Sequence, residues 1–139
     1  MNDTFARLLD AARAARLKAH APFSMFQVGA ALETADCQII TGCNVENTTY
    51  GLTVCAERVA LLKAISEGHR HFVRIGIVAD TEQPTPPCGA CRQLLWEFCG
   101  NLEVILGNLQ AQTARHWLKD LFPHPFDADS IGAAGPGAV

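Results

Sequence analysis

The chain has 139 residues, 49% of them hydrophobic, which is enough for one compact domain with its own core. Its formal net charge of -3 comes from 11 basic and 14 acidic residues spread along the sequence, so no basic stripe points to a nucleic-acid partner. The apolar stretches are too short to cross a bilayer, and residues 1–20 lack the apolar centre of a signal peptide. We therefore expect a cytoplasmic protein that binds neither nucleic acid nor membrane.

The first part of the chain predicts a helix followed by a β-hairpin. Residues 2–4 offer helix caps, and an apolar stripe follows on one helical face: Phe5, Leu8, Leu9, Ala12 and Ala15. From residue 26 to residue 32, apolar residues alternate with their neighbours, which is typical of a strand. A turn at 35–36 then leads into "CQIITGCNV" (37–45), the predicted returning strand.

Helices and strands alternate in the rest of the chain. The pattern predicts, in order, a helix over 55–67, a strand over 73–79, a helix over 88–99 and a strand over 102–107. Gly68 and Gly100 follow the two helices directly, as is common at helix ends. The strand over 73–79 is short and rich in branched apolar residues, which indicates a central position in a sheet.

A fifth strand is predicted in "QAQTARHW" (110–117), only a few residues after the fourth. Because a parallel crossover needs about a dozen residues, the last two strands should pair antiparallel. Thr113 could equally cap a helix over 114–121. The element order predicts a three-layer α/β/α domain with a mixed five-stranded sheet over residues 1–130, followed by a flexible C-terminal tail over 131–139.

The six cysteines carry the strongest chemical signal. In the absence of an export signal, metal binding or redox chemistry is a better interpretation than a disulfide framework. Cys88 and Cys91 form a CxxC motif at the start of a predicted helix, and by itself this motif fits a redox dithiol, half a zinc site or chance. Cys55, at the start of another predicted helix, supplies a third thiolate. Three ligands with an open fourth position are the pattern of catalytic zinc. The other cysteines, 37, 43 and 99, are interpreted as packing residues.

The residues beside Cys55 suit such a metal. Glu57 lies two positions later, close enough to exchange protons at the metal without being a ligand. Arg58 brings a positive charge that offsets the excess charge of three thiolates. Each of the three residues also has a purely structural interpretation. Cys55 could be a buried packing residue, Glu57 could complement the helix dipole, and Arg58 could be a solvated side chain.

Six segments together resemble the zinc-dependent cytidine deaminases, in particular the short homotetrameric ones. They are "FSMFQVGAAL", "GCNVENTTYG", "TVCAERVALLKAISEG", "PPCGACRQLLWEF", "VIL" and "LFPHPF", and they cover about residues 5–126 in the family's order. The zinc motif CxE…PCxxC alone indicates only the wider superfamily. The resemblance implies hydrolysis of cytidine and 2′-deoxycytidine to uridine and 2′-deoxyuridine with release of ammonia, in pyrimidine salvage.

The resemblance also implies roles for individual residues. It makes Cys55, Cys88 and Cys91 the ligands of one Zn²⁺ per subunit and Glu57 the catalytic proton shuttle, beside which Arg58 would compensate charge as argued above. For the substrate, it places Phe26 beside the pyrimidine ring, Asn44 and Glu46 on the ribose 3′-hydroxyl and the Ala56 N–H on the base carbonyl. Without the family, Asn44 and Glu46 could equally organise a turn, and Phe26 would be a core residue.

Assembly into a homotetramer with shared active sites is implied as well. Phe126 resembles the aromatic residue that covers a neighbouring subunit's site, and Tyr50 lies in a segment that approaches neighbouring sites. Phe23 stands where many members have tyrosine, and Pro125 and Asp127 replace small residues beside Phe126. The alternative function is deamination of a cytosine nucleoside antibiotic such as blasticidin S. A polynucleotide deaminase and a structural zinc module are the more distant interpretations.

Overall fold

A computed structural model describes residues 2–133 of the chain. The α-helices are α1 (Asp3–Arg16), α2 (Ala56–Ser66), α3 (Gly89–Cys99) and α4 (Leu118–Leu121), and the strands are β1 (Val28–Thr34), β2 (Ile39–Cys43), β3 (Phe72–Ala79), β4 (Glu103–Gly107) and β5 (Thr113–Trp117). Two short 3₁₀ helices cover Tyr50–Leu52 and Ala128–Ile131. No helix within 2–133 is long and apolar enough to cross a membrane.

The five strands form one mixed sheet in the order β2-β1-β3-β4-β5. β1 pairs antiparallel with both β2 and β3, and β3 pairs parallel with β4. The two last strands in the chain, β4 and β5, pair antiparallel across a short connection. α3 lies between β3 and β4 in the sequence, and its eleven residues form the helical part of the crossover connection that a parallel pair requires.

Two apolar clusters lie on opposite faces of the sheet. Along β1, Leu32 joins the larger cluster with α2 and α3, whereas its neighbour Ala31 joins the smaller cluster with α1. The same alternation separates Ile77 from Val78 on β3, because successive strand residues point to opposite faces. The chain is therefore an α/β fold with helices on both faces of a mixed five-stranded sheet.

Three local predictions need correction. Phe26 lies before β1, which begins only at Val28. Cys37 is exposed in the hairpin turn with a φ of 67°, so it is not a packing residue, because β2 begins only at Ile39. The alternative of a helix over 114–121 capped by Thr113 is wrong, because Thr113–Trp117 form β5, as the strand prediction expects, and α4 begins only at Leu118 with Trp117 as its N-cap.

The expected flexible tail over 131–139 is only partly covered by the structure. Ile131 ends a 3₁₀ helix that Asp127 caps through its side chain. Residues 134–139 lie outside the described residues.

Gly29 on β1 allows α1 to pack closely on the sheet. A Cβ at this position would overlap the backbone of Ala12 and lie 2.5 Å from the Arg16 nitrogen. We expect Gly29→Ala to lower the free energy of unfolding by about 3 kcal/mol or more, because helix backbone cannot yield as a side chain can. Urea unfolding measures this change. Gly51→Ala, where a Cβ would meet no atom within 4 Å, is the matched control. Equal stability of the two variants would contradict the close α1–β1 contact.

Candidate metal centre

Three cysteine sulfurs meet at one point between α2 and α3. The Sγ atoms of Cys55 and Cys88 are 3.9 Å apart, those of Cys88 and Cys91 are 3.5 Å apart, and all three lie within 4.8 Å of one another. A tetrahedral zinc ion with Zn–S bonds of about 2.3 Å needs sulfurs about 3.8 Å apart. The donor set and its spacing therefore fit zinc, with three protein ligands and a fourth position left for another group.

The ends of two helices bring these sulfurs together. Cys55 is the N-cap of α2 and Cys88 is the N-cap of α3, and neither side chain caps its own helix. The free N–H groups and the positive dipole end of each helix favour thiolate over thiol at this position. Gly42 on β2 fixes the depth of α2, because a Cβ there would lie 2.5 Å from the Ala60 nitrogen.

The pKa values of Cys55 and Cys91 shift in opposite directions. The neighbouring Cys91 thiol and the Arg58 guanidinium lower the pKa of Cys55 to about 5. The neighbouring Cys55 and burial raise the pKa of Cys91. Because zinc coordinates thiolates, metal binding would release any proton that these sulfurs carry.

Glu57 lies in the first turn of α2, directly beside the sulfurs. Only 5% of the residue is exposed. Burial raises the pKa of its carboxyl group, and the nearby Cys55 thiolate raises it further. A carboxyl group with a raised pKa holds a proton more readily than an ordinary glutamate does, which suits a group that accepts and returns protons.

Arg58 reaches from α2 to the sulfur of Cys55. Its Nη2 donates to Cys55 Sγ at 3.5 Å and to the Thr53 carbonyl oxygen at 3.2 Å. The thiolates raise the pKa of the guanidinium, chiefly through the hydrogen bond to Cys55. Its buried Nε has no hydrogen-bond partner among the described residues. Arg58 is therefore held beside the sulfurs as a charge partner and is not a freely solvated side chain.

A cavity of about 170 Å³ opens onto this cluster. Phe26, Asn44, Ala56 and Glu57 line it together with Cys55 and Cys88. Its remaining lining residues are Val28, Thr53, Ile77, Thr85 and Pro86. The structure thus brings most of the sequence-predicted site residues to one mainly apolar pocket, whose lining includes two of the three cysteines and the Glu57 carboxyl group.

Asn44 and Glu46 follow the end of β2, as expected, but they line two different pockets. The Asn44 amide accepts from the Val28 N–H at 2.8 Å and donates to the Phe26 carbonyl oxygen at 2.7 Å, so it also holds the start of β1. Glu46 lines a second pocket of about 260 Å³. Thr53 lines both pockets, which places them side by side.

Tyr50 and Phe126 do not line the pocket at the sulfurs. Tyr50 is 72% exposed and lines the second pocket, where its ring centroid lies 5.6 Å from that of Phe23. Phe126 is 65% exposed and lies in a groove beside α3. Gln93 and Trp96 of α3 fix this segment by donating to the Phe126 carbonyl oxygen and the Asp127 carboxylate.

Sequence reasoning missed several residues of the two pockets. Thr53 and Pro86 each lie two positions before a predicted zinc ligand, Cys55 and Cys88 respectively. This closeness in sequence was the signal that could have placed them in the pocket. Thr85 comes from the same loop as Pro86. Ser24 gave no signal of its own, because its contact with Glu46 joins positions 22 residues apart.

Comparison with known proteins agrees with this geometry. Residues 3–107 match the family model described as the cytidine and deoxycytidylate deaminase zinc-binding region. The chain belongs to the cytidine and deoxycytidylate deaminase family. A cytidine deaminase of Halalkalibacterium halodurans is 50% identical over 89% of this chain and 95% of that protein. A cytidine deaminase of Sporosarcina psychrophila is 44% identical over 92% of this chain and 95% of that protein.

Solved structures of the family have the same fold. The crystal structure of cytidine deaminase from Burkholderia pseudomallei matches with a TM-score of 0.85 and 48% identity over 87% of this chain and 98% of that one. A blasticidin-S deaminase of Bacillus cereus is more distant, with 28% identity over 69% of this chain and 74% of that protein. The family membership and the three-sulfur cluster together identify the metal as zinc.

Proposed function

We propose that this protein deaminates cytidine and 2′-deoxycytidine hydrolytically, producing uridine or 2′-deoxyuridine and ammonia. One observation carries the proposal: the buried carboxyl group of Glu57 lies beside three convergent thiols and lines a mainly apolar pocket. The curated relatives named cytidine deaminase, at 44% and 50% identity, support the nucleoside substrate. The reaction adds one water and releases one ammonia, so no other co-reactant is required.

Cys55, Cys88 and Cys91 hold the zinc ion in this proposal. When bound, zinc supplies Lewis acidity that makes water nucleophilic near neutral pH. Arg58 withdraws charge from the Cys55 sulfur through its hydrogen bond and so limits the negative charge of the ligand set.

Glu57 moves the protons. Its carboxylate accepts one proton from the attacking water and delivers it to the ring nitrogen. It then accepts a second proton, from the new hydroxyl group on the ring carbon, and delivers that one to the departing amine as the carbonyl forms. The raised pKa of this group suits both directions of transfer. The position of Glu57 in the first turn of α2 keeps the carboxyl group beside the sulfurs throughout the reaction.

The surrounding residues bind the nucleoside. Phe26 packs against the pyrimidine ring, and the Ala56 N–H donates to the base carbonyl, because an N–H in the first turn of a helix has no intrahelical partner. Asn44 and Glu46 bind the ribose 3′-hydroxyl. A site built from such polar partners discriminates strongly against analogues that lack the hydroxyl.

A homotetramer with shared active sites completes the proposal. Tyr50 and Phe126 are large, exposed and outside the pocket of their own chain, which supports a contribution to a neighbouring subunit's site. The organisation as one domain over 1–130 and the cytoplasmic location stay predictions. Sedimentation equilibrium tests the assembly, and a monomer at micromolar concentration would contradict it.

Replacement of Arg58 by glutamine should weaken catalysis while zinc stays bound. We expect kcat to fall by about 10- to 100-fold, because the Cys55 thiolate loses its charge partner and donates more strongly to the metal. Steady-state kinetics and zinc analysis of the same sample measure both quantities. Arg70→Gln is the control, because Arg70 contacts only backbone oxygens near the far end of α2. An unchanged kcat would remove Arg58 from the mechanism.

Loss of the cytidine ultraviolet absorption band on incubation with purified protein tests the proposed function directly. Cytidine, 2′-deoxycytidine and blasticidin S should be assayed side by side under the same conditions. We expect the two nucleosides to have the higher kcat/KM. Exclusive activity on blasticidin S would establish the alternative function, and inactivity on all three with zinc bound would contradict a deaminase.

A further inference from the structure

The loop between α1 and β1 contains Ser24, whose hydroxyl group joins two residues of the substrate site. The Ser24 hydroxyl donates to Oε2 of Glu46. It also accepts a hydrogen bond from the Phe26 N–H at 3.0 Å. Because a serine hydroxyl has a single proton, the donor role toward Glu46 leaves the oxygen as the acceptor for Phe26. Ser24 thus fixes the carboxylate and the aromatic residue relative to each other.

The same loop occupies most of the acceptor positions of Glu46. Its Oε1 accepts from the Phe23 N–H at 2.9 Å and from the Ser24 N–H at 3.1 Å, and its Oε2 accepts from the Ser24 hydroxyl. An ionised carboxylate has about four acceptor positions, so one remains, on Oε2. The Ser24 hydroxyl is the main cause of a lowered pKa at Glu46, which keeps this group ionised and purely an acceptor at neutral pH.

Backbone geometry gives Ser24 a second effect on the site. Met25 has a φ of 57°, in the left-handed region that side chains other than glycine rarely adopt. The Ser24 Oγ–Phe26 N hydrogen bond spans this residue and holds the conformation from the side of β1. The Asn44 amide also donates to the Phe26 carbonyl oxygen at 2.7 Å, so Phe26, which lines the pocket at the sulfurs, keeps a second anchor when the Ser24 hydroxyl is removed.

We infer that Ser24 is a positioning residue for sugar recognition: it orients the Glu46 carboxylate so that a single acceptor position on Oε2 is left for a hydroxyl donor of the substrate. The inference rests on the proposed function, in which Glu46 binds the 3′-hydroxyl. It predicts that Ser24 affects substrates according to whether they carry this hydroxyl. A residue that only stabilises the loop would affect all substrates alike.

Two substrates that differ only in the 3′-hydroxyl, 2′-deoxycytidine and 2′,3′-dideoxycytidine, separate the two roles. With the zinc-loaded enzyme, Ser24→Ala should lower kcat/KM for 2′-deoxycytidine by about tenfold, chiefly by raising KM, since a hydrogen bond to a charged acceptor is lost. For 2′,3′-dideoxycytidine, kcat/KM should change by less than about twofold. Ser24→Thr, which keeps a hydroxyl, should recover most of the loss.

The controls distinguish failure of this inference from failure of the proposed function. Ser66→Ala, which removes an exposed hydroxyl at the end of α2, should leave both substrates unchanged. Glu46→Gln should lower the ratio of kcat/KM for 2′-deoxycytidine to kcat/KM for 2′,3′-dideoxycytidine at least as much as Ser24→Ala does. Suppose that Glu46→Gln lowers this ratio but Ser24→Ala slows both substrates equally or slows neither. The inferred role of Ser24 would then be wrong, while the proposed role of Glu46 would stand. If Glu46→Gln leaves the ratio unchanged, the assigned role of Glu46 fails, and the inference fails with it.

Discussion

Replacement of Glu57 by glutamine is expected to reduce turnover of cytidine by roughly a thousandfold or more. Glutamine has nearly the same shape and fits the buried position, but its amide cannot accept a proton from water or return it to the ring nitrogen and the leaving amine. Zinc should remain bound at one ion per chain, because the three sulfurs are untouched. Single-turnover kinetics with excess enzyme and metal analysis of the same preparation measure both effects.

Glu67→Gln is the matched control for this experiment. Glu67 is exposed at the opposite end of the same helix, so its replacement changes the charge of α2 by the same amount without touching the pocket. Its turnover should equal that of the unmodified enzyme. If Glu57→Gln with full zinc loading also turned over at a near-normal rate, Glu57 would not be the proton carrier, and water would have to be activated by another group.

Replacement of Cys91 by serine is the second change with a large expected effect. Cys91 is fully buried, and its sulfur lies 3.5 Å from that of Cys88, so the cluster loses one of its three thiolates. We expect zinc content to fall below about 0.1 ion per chain after gel filtration, because two thiolates alone are a poor zinc site. Turnover should become undetectable, and the melting temperature should fall as the contribution of metal binding to stability is lost.

Cys37→Ser is the corresponding control, because Cys37 is an exposed cysteine in the β1–β2 turn. It should keep one zinc ion, full turnover and an unchanged melting temperature. Retention of stoichiometric zinc by Cys91→Ser would show that this sulfur is not a ligand. It would also require a different set of donors around the metal.

The sequence predicted the elements that rest on local patterns. Residues 2–4 offered the N-cap of α1, and the structure uses Asn2; the apolar patterns over 55–67 and 88–99 predicted α2 and α3 to within one residue at each end. Cys55 and Cys88 were both predicted at helix starts and as ligands of one metal ion. In the structure their Sγ atoms are 3.9 Å apart, as a shared metal ion requires. The order of elements also gave the mixed five-stranded sheet.

What the sequence could not supply depends on contacts between distant positions. The position of β1 between β2 and β3 depends on pairing between strands far apart in the chain, because Val28 of β1 pairs with Ala79 of β3. Phe26 has the alternation of a strand residue, yet the Asn44 amide holds its carbonyl and the strand begins two residues later. The link between Ser24 and Glu46 spans 22 positions, and it becomes visible only when β2 and the loop before β1 lie side by side.

We propose that Cys55, Cys88 and Cys91 hold a single zinc ion whose fourth position is open beside Glu57. X-ray absorption spectroscopy at the zinc edge of the purified protein measures this ligand set. We expect three sulfur neighbours at about 2.3 Å and one oxygen or nitrogen neighbour at about 2.0 Å. A shell of four sulfurs, a shell without sulfur, or fewer than three sulfurs per zinc would contradict this proposal.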